Sequence, residues 1–311
     1  MTTAGLDLRT SYFATRDLEI GGGVSGLYEG VQSTAFAARA EGQPSRVSLG
    51  AYLEPKYLAG DRLVLAPVVR YDWSSDYAAG LSVMATARWQ FLDALELRAS
   101  GGSSYRAPTF NELYWPYVDY GYGYSYQGNP SLKPETAWSA DLGAKLELGV
   151  LELSCSGFAR YVDNLIVSNG SMPVNLDKAF VPGASSELSY SLGAFKLTAN
   201  YEFLYPLDVS AAASLADATP IKAFSAHKVN AAIAYRSGAF DATAGLRYWS
   251  SYNKTTDMPA VFIADIGASY KVAKKVTLAL NVDNLFDASY EVIADYPMPG
   301  RSVATKVKIE F

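Results

Sequence analysis

Residues 301–311, Arg301-Ser302-Val303-Ala304-Thr305-Lys306-Val307-Lys308-Ile309-Glu310-Phe311, decide how the rest of the chain is read. Val303, Thr305, Val307, Ile309 and Phe311 share one phase; Ala304, Lys306, Lys308 and Glu310 share the other. A strand points successive side chains to opposite faces, so this segment has one apolar and one charged face. The same period of two governs 276–283, where Val276, Leu278, Leu280 and Val282 alternate with Thr277, Ala279, Asn281 and Asp283. It governs 137–148 (Trp138, Ala140, Leu142, Ala144, Leu146, Leu148) and 240–249 (Phe240, Ala242, Ala244, Leu246, Tyr248). It returns near 5–13, 18–29, 46–57, 62–72, 81–91, 94–106, 150–162, 186–193, 194–205, 228–236 and 261–271. That makes about fifteen strands of roughly ten residues, the length that crosses a bilayer when tilted. Turn signals such as Ala59-Gly60-Asp61, Leu192-Gly193 and Ser237-Gly238 separate many of them. No helical period competes over a comparable length, and neither a second domain nor a low-complexity linker is evident.

The polar face separates a membrane barrel from a soluble sandwich, which also alternates. Arg88, Arg98, Lys145, Arg160, Lys196 and Arg247 lie deep inside strands. A wide barrel tolerates them, because its outer face meets lipid while its lumen is polar. The expectation is an all-β, transmembrane, antiparallel up-and-down β-barrel. The 23 tyrosines suit it, since a ring with a polar tip fits strands and membrane interfaces. A net charge of −5 lacks the basic stripe of a nucleic-acid-binding domain. The single cysteine, Cys155, excludes an intrachain disulfide and a cysteine-based metal site. Residues 1–20 carry Asp7, Arg9, Arg16, Asp17 and Glu19 instead of the basic and apolar regions of a signal peptide, so an upstream part is expected.

The aromatic end of the chain, with Val307, Ile309 and Phe311, resembles the terminal strand signal that outer-membrane proteins present to their assembly machinery. Two motifs go further. Residues 105–114 read Tyr-Arg-Ala-Pro-Thr-Phe-Asn-Glu-Leu-Tyr, and 128–135 read Gly-Asn-Pro-Ser-Leu-Lys-Pro-Glu. Residues 283–290 read Asp-Asn-Leu-Phe-Asp-Ala-Ser-Tyr, with Tyr296-Pro297-Met298-Pro299-Gly300-Arg301 after them. Together they resemble the TonB-dependent receptors of the cobalamin and siderophore type, over residues from about 60 to 311. The resemblance implies a 22-stranded barrel, plugged by an N-terminal domain and driven by the inner-membrane TonB complex. It implies outer-membrane lipid, the barrel assembly machinery and a small ligand of siderophore or cobalamin class as partners, and no cofactor. Against that pattern the signal peptide, the plug and the TonB-contacting segment are absent, and about 14–15 of 22 strands are present. The chain reads as the C-terminal barrel portion: a fragment, a split gene or a truncated paralogue.

The motif residues also have local readings. Asn129-Pro130 and Lys133-Pro134 set an extended path into the strand at 136–148, since proline fixes φ and removes donors. Asn284 and Asp287 can bond local backbone and close a turn, and Gly300 offers backbone freedom. Counting strand pairs back from the terminus places 285–300 and 107–135 outside the cell, with further outward loops near 73–79, 163–175, 206–222 and 250–259. The loop 107–135 is long and aromatic. Tyr114, Trp115, Tyr117, Tyr120, Tyr122 and Tyr124, with Tyr126, can stack on a ligand or form the upper interfacial girdle. Arg106 lies on the lumenal phase, where it meets either an anionic ligand or, the favoured expectation, a neighbouring acid. Asp72, Asp76 and Asp119 lack the spacing of a calcium loop, so no metal site is expected. Catalysis is not expected either: the only histidine, His227, shares the lipid-facing phase of Val229, Ala231 and Ile233. A passive porin and a soluble β-protein are the competing readings.

Overall fold

The structure, a computed structural model, describes residues 1–36, 42–221, 224–253, 257–293 and 295–310. Fifteen long strands form one antiparallel wall. They are β1 (Thr2–Phe13), β2 (Leu18–Gly30), β3 (Ser45–Ala59), β4 (Leu63–Ser74), β5 (Gly80–Leu92), β6 (Leu95–Arg106), β7 (Glu135–Leu148) and β8 (Leu151–Ser168). They continue as β9 (Pro173–Leu192), β10 (Phe195–Leu204), β11 (His227–Ser237), β12 (Phe240–Trp249), β13 (Val261–Ala273), β14 (Val276–Asp283) and β15 (Ser302–Ile309). Each pairs with its sequence neighbours, as an up-and-down barrel requires. Among the described residues β1 pairs only with β2 and β15 only with β14, so the wall has two free edges.

The register carries one apolar phase across every strand. Val307 stands opposite Leu278, Leu278 opposite Tyr270, and Tyr270 opposite Phe240. Ala244 stands between Ile233 and Ile266. At the far edge Leu49 faces Gly26, which faces Leu6. Leu6, Leu49, Leu142, Ile266 and Val307 are exposed, which makes no sense for a soluble core and suits lipid. Aromatic residues gather at both ends of this face. Trp89, Phe91, Phe195, Tyr235, Phe240 and Tyr270 lie beside the short turns; Tyr71, Trp73, Trp138, Tyr201, Phe203 and Tyr248 lie beside the long connections. Phe240 and Tyr248, both on β12, mark the two belts. They are roughly 27 Å apart along the strand and about 21 Å along an axis tilted ~40°, close to the apolar band of a membrane barrel. His227 joins the upper belt as its phase requires: its Nδ1 lies 2.9 Å from the Tyr201 hydroxyl and its ring 5.2 Å from that of Phe203.

Several expectations need adjusting. The loop near 163–175 is only 169–172, because β8 and β9 run on past the upper belt as a two-stranded extension. There the outer face meets water, and the polar Asp163-Asn164 no longer betrays a strand. The least regular strand in the sequence, 5–13, is a full twelve residues. The loop 285–300 contains a short hairpin, Glu291–Ile293 against Tyr296–Pro297. Val307 and Ile309 stand on the outer face as expected; Phe311 lies outside the described residues.

The two faces predict opposite tolerance. Ala244→Arg, in the middle of the apolar band, should destabilise the wall by about 2–4 kcal/mol. Thr243→Arg, one residue away on the lumenal face, should cost far less. Urea unfolding of both variants from lipid vesicles checks the difference.

Candidate functional site

The connection between β6 and β7 begins with a helix, α1 (Phe110–Tyr114), too short to be stable alone. Reciprocal capping fixes it. The Glu112 amide donates to the Thr109 hydroxyl at 3.2 Å, and the Thr109 amide donates to Glu112 Oε2 at 2.7 Å. Arg106 closes the assembly from below. Its Nε and Nη2 donate to Glu135 at 2.7 and 2.9 Å, and its Nη1 to Glu112 Oε2 at 3.2 Å. Arg106 therefore spends its charge on two acids, the favoured expectation. Burial would raise the Glu112 carboxyl, but the Thr109 amide, the Arg106 guanidinium and the Thr109 hydroxyl together hold it below the usual glutamate range.

A second anchor was not visible in the sequence. Arg46, at the start of β3, is 7% exposed. Its Nε donates to Asp76 Oδ2 at 3.0 Å and its Nη2 to the Pro108 carbonyl at 2.9 Å. Its guanidinium carbon lies 4.6 Å from the Phe110 ring centre and 4.9 Å from that of Tyr77. Asp76 Oδ1 accepts the Tyr114 hydroxyl at 2.7 Å. Trp115 packs edge-on against buried Phe36, with ring centres 5.8 Å apart. Tyr114 and Trp115 are thus part of the foundation, not of the exposed surface. Two of the scattered carboxylates are accounted for as well: Asp72 holds Arg70, and Asp76 holds Arg46.

The chain returns through the Gly-Asn-Pro stretch. A Cβ on Gly128 would lie 2.6 Å from the Trp115 nitrogen, so no other residue fits without displacing backbone. The Asn129 side chain donates to the Pro173 carbonyl at 3.0 Å and accepts from the Ser131 amide at 3.0 Å. Glu135 also accepts the Ile166 amide at 2.6 Å, tying the loop to the β8 extension. The second motif is a turn clasp, as its residues imply. The Asn284 side chain exchanges hydrogen bonds with the Ala288 backbone at 2.8 and 2.9 Å, and its amide donates to Asp265. Asp287 Oδ1 accepts the Arg301 amide at 2.7 Å. Gly300 serves differently from expectation: its role is close approach, because a Cβ there would meet Asp287 Oδ1 at 2.7 Å.

What remains free is a hairpin, Val118–Gly121 against Tyr124–Tyr126, raised above this foundation. Tyr117, Tyr120, Tyr122 and Tyr124 are 63, 54, 110 and 56% exposed. Tyr120 and Tyr124 lie 5.7 Å apart, offering two ring faces on one side of the hairpin. Tyr122 takes the left-handed tip position, φ 54°, and Asp119 Oδ1 accepts the Gly121 amide at 2.8 Å. Tyr126 is half-buried, and burial, then the Glu112 charge, pushes its hydroxyl up. The seven candidate residues therefore split: Arg106, Tyr114 and Trp115 hold the base, while Tyr117, Tyr120, Tyr122 and Tyr124 face the medium. The geometry suits stacking and hydroxyl hydrogen bonds to a flat or greasy molecule.

Arg46→Met should leave Asp76 buried without its cation and cost the loop base about 3–5 kcal/mol. Amide exchange should quicken through 107–134 while the ladder of β9 to β13 keeps its protection.

A sequence model of the family described as TonB dependent receptor-like, beta-barrel, matches residues 2–285. The vitamin B12 transporter BtuB of Photobacterium profundum is 26% identical over 312 residues, covering 96% of this chain and 48% of the relative. That of Vibrio vulnificus is 28% identical over 207 residues, covering 64% and 31%. The chain thus spans about half, or less, of the length of the curated relatives it matches. Among solved structures, the siderophore receptor PirA from Acinetobacter baumannii superposes with a TM-score of 0.80 at 16% identity, covering 99% of this chain and 55% of that one. The copper transporter OprC superposes at 0.78 and 20% identity, covering 99% and 56%. The chain belongs to the TonB-dependent receptor-like β-barrel family, and its wall sits in the outer membrane.

Proposed function

We propose that this wall is the C-terminal barrel portion of a receptor that takes up a scarce small molecule of siderophore or cobalamin class, energised through TonB in the complete protein. The observation that carries the reading is the exposed tyrosine hairpin, in a connection whose base is held by the Arg46 and Arg106 networks. A surface that only had to pass solutes would have no use for so firm a mounting. The ligand class follows the relatives named as vitamin B12 transporters and the neighbours named as siderophore receptors. A plug domain would occupy the lumen and contact TonB. Val307, Ile309 and Phe311 would serve as the signal read by the barrel assembly machinery. Catalysis has no support: His227 is engaged in an interfacial aromatic cluster.

The free edges support a longer barrel. Unpaired strand edges do not persist in hydrocarbon. β1 and β15 run in the same direction, because both are odd-numbered in an up-and-down wall. Antiparallel closure therefore takes an odd number of further strands, and seven would complete the family's 22.

Two measurements test this. Truncating Tyr120 or Tyr124 to Ala should weaken ligand binding by about 3–10-fold each, given the usual worth of a stacked ring. Titration of the full-length receptor with cobalamin and a set of ferric siderophores reads it, and unchanged affinity for whichever ligand binds would remove the hairpin from the site. Leu8→Cys and Val307→Cys, introduced together in a Cys155→Ser background, should stay uncross-linked in membranes. A disulfide between them would mean that the fifteen strands close on themselves.

A further inference from the structure

Most lumenal arginines of this wall are matched by at least one close acid. Arg70 takes both oxygens of Asp72, at 2.6 and 2.8 Å. Arg247 does the same with Asp265, and Arg106 with Glu135. Arg160 has no acid partner among the described residues and lies 5.3 Å from the Phe158 ring centre. A second exception brings two arginines together. Arg88 on β5 and Arg98 on β6 stand directly opposite each other in the ladder. Like charges in that position repel. Their only acid among the described residues is Glu96, shared by both at 3.8 and 3.5 Å, too far for a hydrogen bond to either. Lys56 of β3 lines the same depression and makes no ion pair among the described residues.

The depression measures about 610 Å³. Its floor is kept low by small residues: Gly143 stands opposite Arg98, and Ser156 opposite Gly143. Asp141, one lumenal step further up and 3.5 Å from the Ser100 hydroxyl, lines the other end of the same depression, so the arginine end has only the shared Glu96. The site lies on the side of the short turns, since β5 ends at Leu92 and β6 begins at Leu95.

The geometry assigns Arg88, Arg98 and Lys56 to a binding site for a small oxyanion on the lumenal wall, in the half of the barrel remote from the tyrosine hairpin. Two guanidinium groups lining one depression suit the paired oxygens of a phosphate or carboxylate, and the Lys56 ammonium adds a point charge to the same lining. The bound anion relieves the Arg88–Arg98 repulsion that Glu96 only partly offsets. The site rests on the fold and on no assumption about transport; where the plug proposed above shares this lumen, a plug carboxylate on the arginines is the competing outcome that the test separates.

The test is the thermal midpoint of the full-length protein in detergent, titrated with inorganic phosphate against chloride at fixed ionic strength. The wild type should show a saturable rise. Arg98→Gln should weaken the apparent affinity roughly tenfold, as expected for loss of a charge-assisted pair. Arg88→Gln should do the same and covers the case in which Arg98→Gln does not fold. Lys306→Gln, a lumenal cation on β15 outside the cluster, should leave the titration unchanged. Equal phosphate responses in all variants would overturn the assignment, since they would report general salt effects. So would the absence of saturation together with destabilised Arg98→Gln and Arg88→Gln proteins, which would give the arginines to a fixed carboxylate of the same chain.

Discussion

A backbone that crosses hydrocarbon has no water to bond, so every amide and carbonyl must be satisfied by the neighbouring strand. This constraint orders the rest of the structure. It forces long antiparallel ladders in near-continuous register, and the ladder forces one residue in two to face lipid. The unbroken apolar phase from Val307 through Tyr270 and Ala244 to Leu6 is the result. Because the phase is shared, the lumenal charges are also fixed. Arg88, Arg98, Lys145 and Arg247 cannot turn to the lipid without a slip in register that would move every side chain of the strand.

Above the upper belt the constraint lapses and a different one takes over. The long connections run in water, where a loop costs little to close but gains little by being ordered. The β6–β7 connection is ordered nonetheless, because two arginines from different strands meet beneath it. Arg106 draws together the end of β6, the helix α1 and the start of β7. Arg46 draws in β3, the loop carrying Asp76 and the Pro108 carbonyl. A buried ion pair adds little net stability over an apolar replacement, yet breaking one partner is expensive. Such a pair serves better as a register device than as glue. It allows one arrangement of the loop and penalises others, which is what a mounted binding surface needs.

The sequence showed what the bilayer imposes and little of what side chains from distant strands impose together. Alternation placed fifteen strands and set His227 on the outer face, because both follow from a local period. The outward side of the loops rested instead on the expected periplasmic place of Phe311, which lies outside the described residues. The extension of β8 and β9 past the membrane escaped, since outside lipid the outer face has no reason to be apolar and Asp163-Asn164 looks like a loop. Arg46 escaped for another reason. Its partners Asp76 and Pro108 lie 30 and 62 residues away; the β3–β4 register, with Ser48 opposite Ser74, brings Asp76 to it, and the β6–β7 connection brings Pro108. The motif around Arg106 was legible as a motif, but its chemistry was not. Tyr114 and Trp115 looked like Tyr117 and Tyr120 until burial separated foundation from surface.

That separation bears on how a receptor of this build can work. If the whole loop 107–134 moved on binding, the energy of ordering it would be drawn from the ligand, and affinity would fall accordingly. With its base held by Glu112, Glu135 and Asp76, only the hairpin tip around Tyr122 has freedom to adjust. Stacking on Tyr120 and Tyr124 then proceeds from a preset pair of rings 5.7 Å apart. The left-handed turn at Tyr122 and the Asp119 cap shape the hairpin that sets that spacing. A binding surface made this way can change its tip residues freely while keeping its mounting, since no side chain of the tip takes part in the two arginine networks.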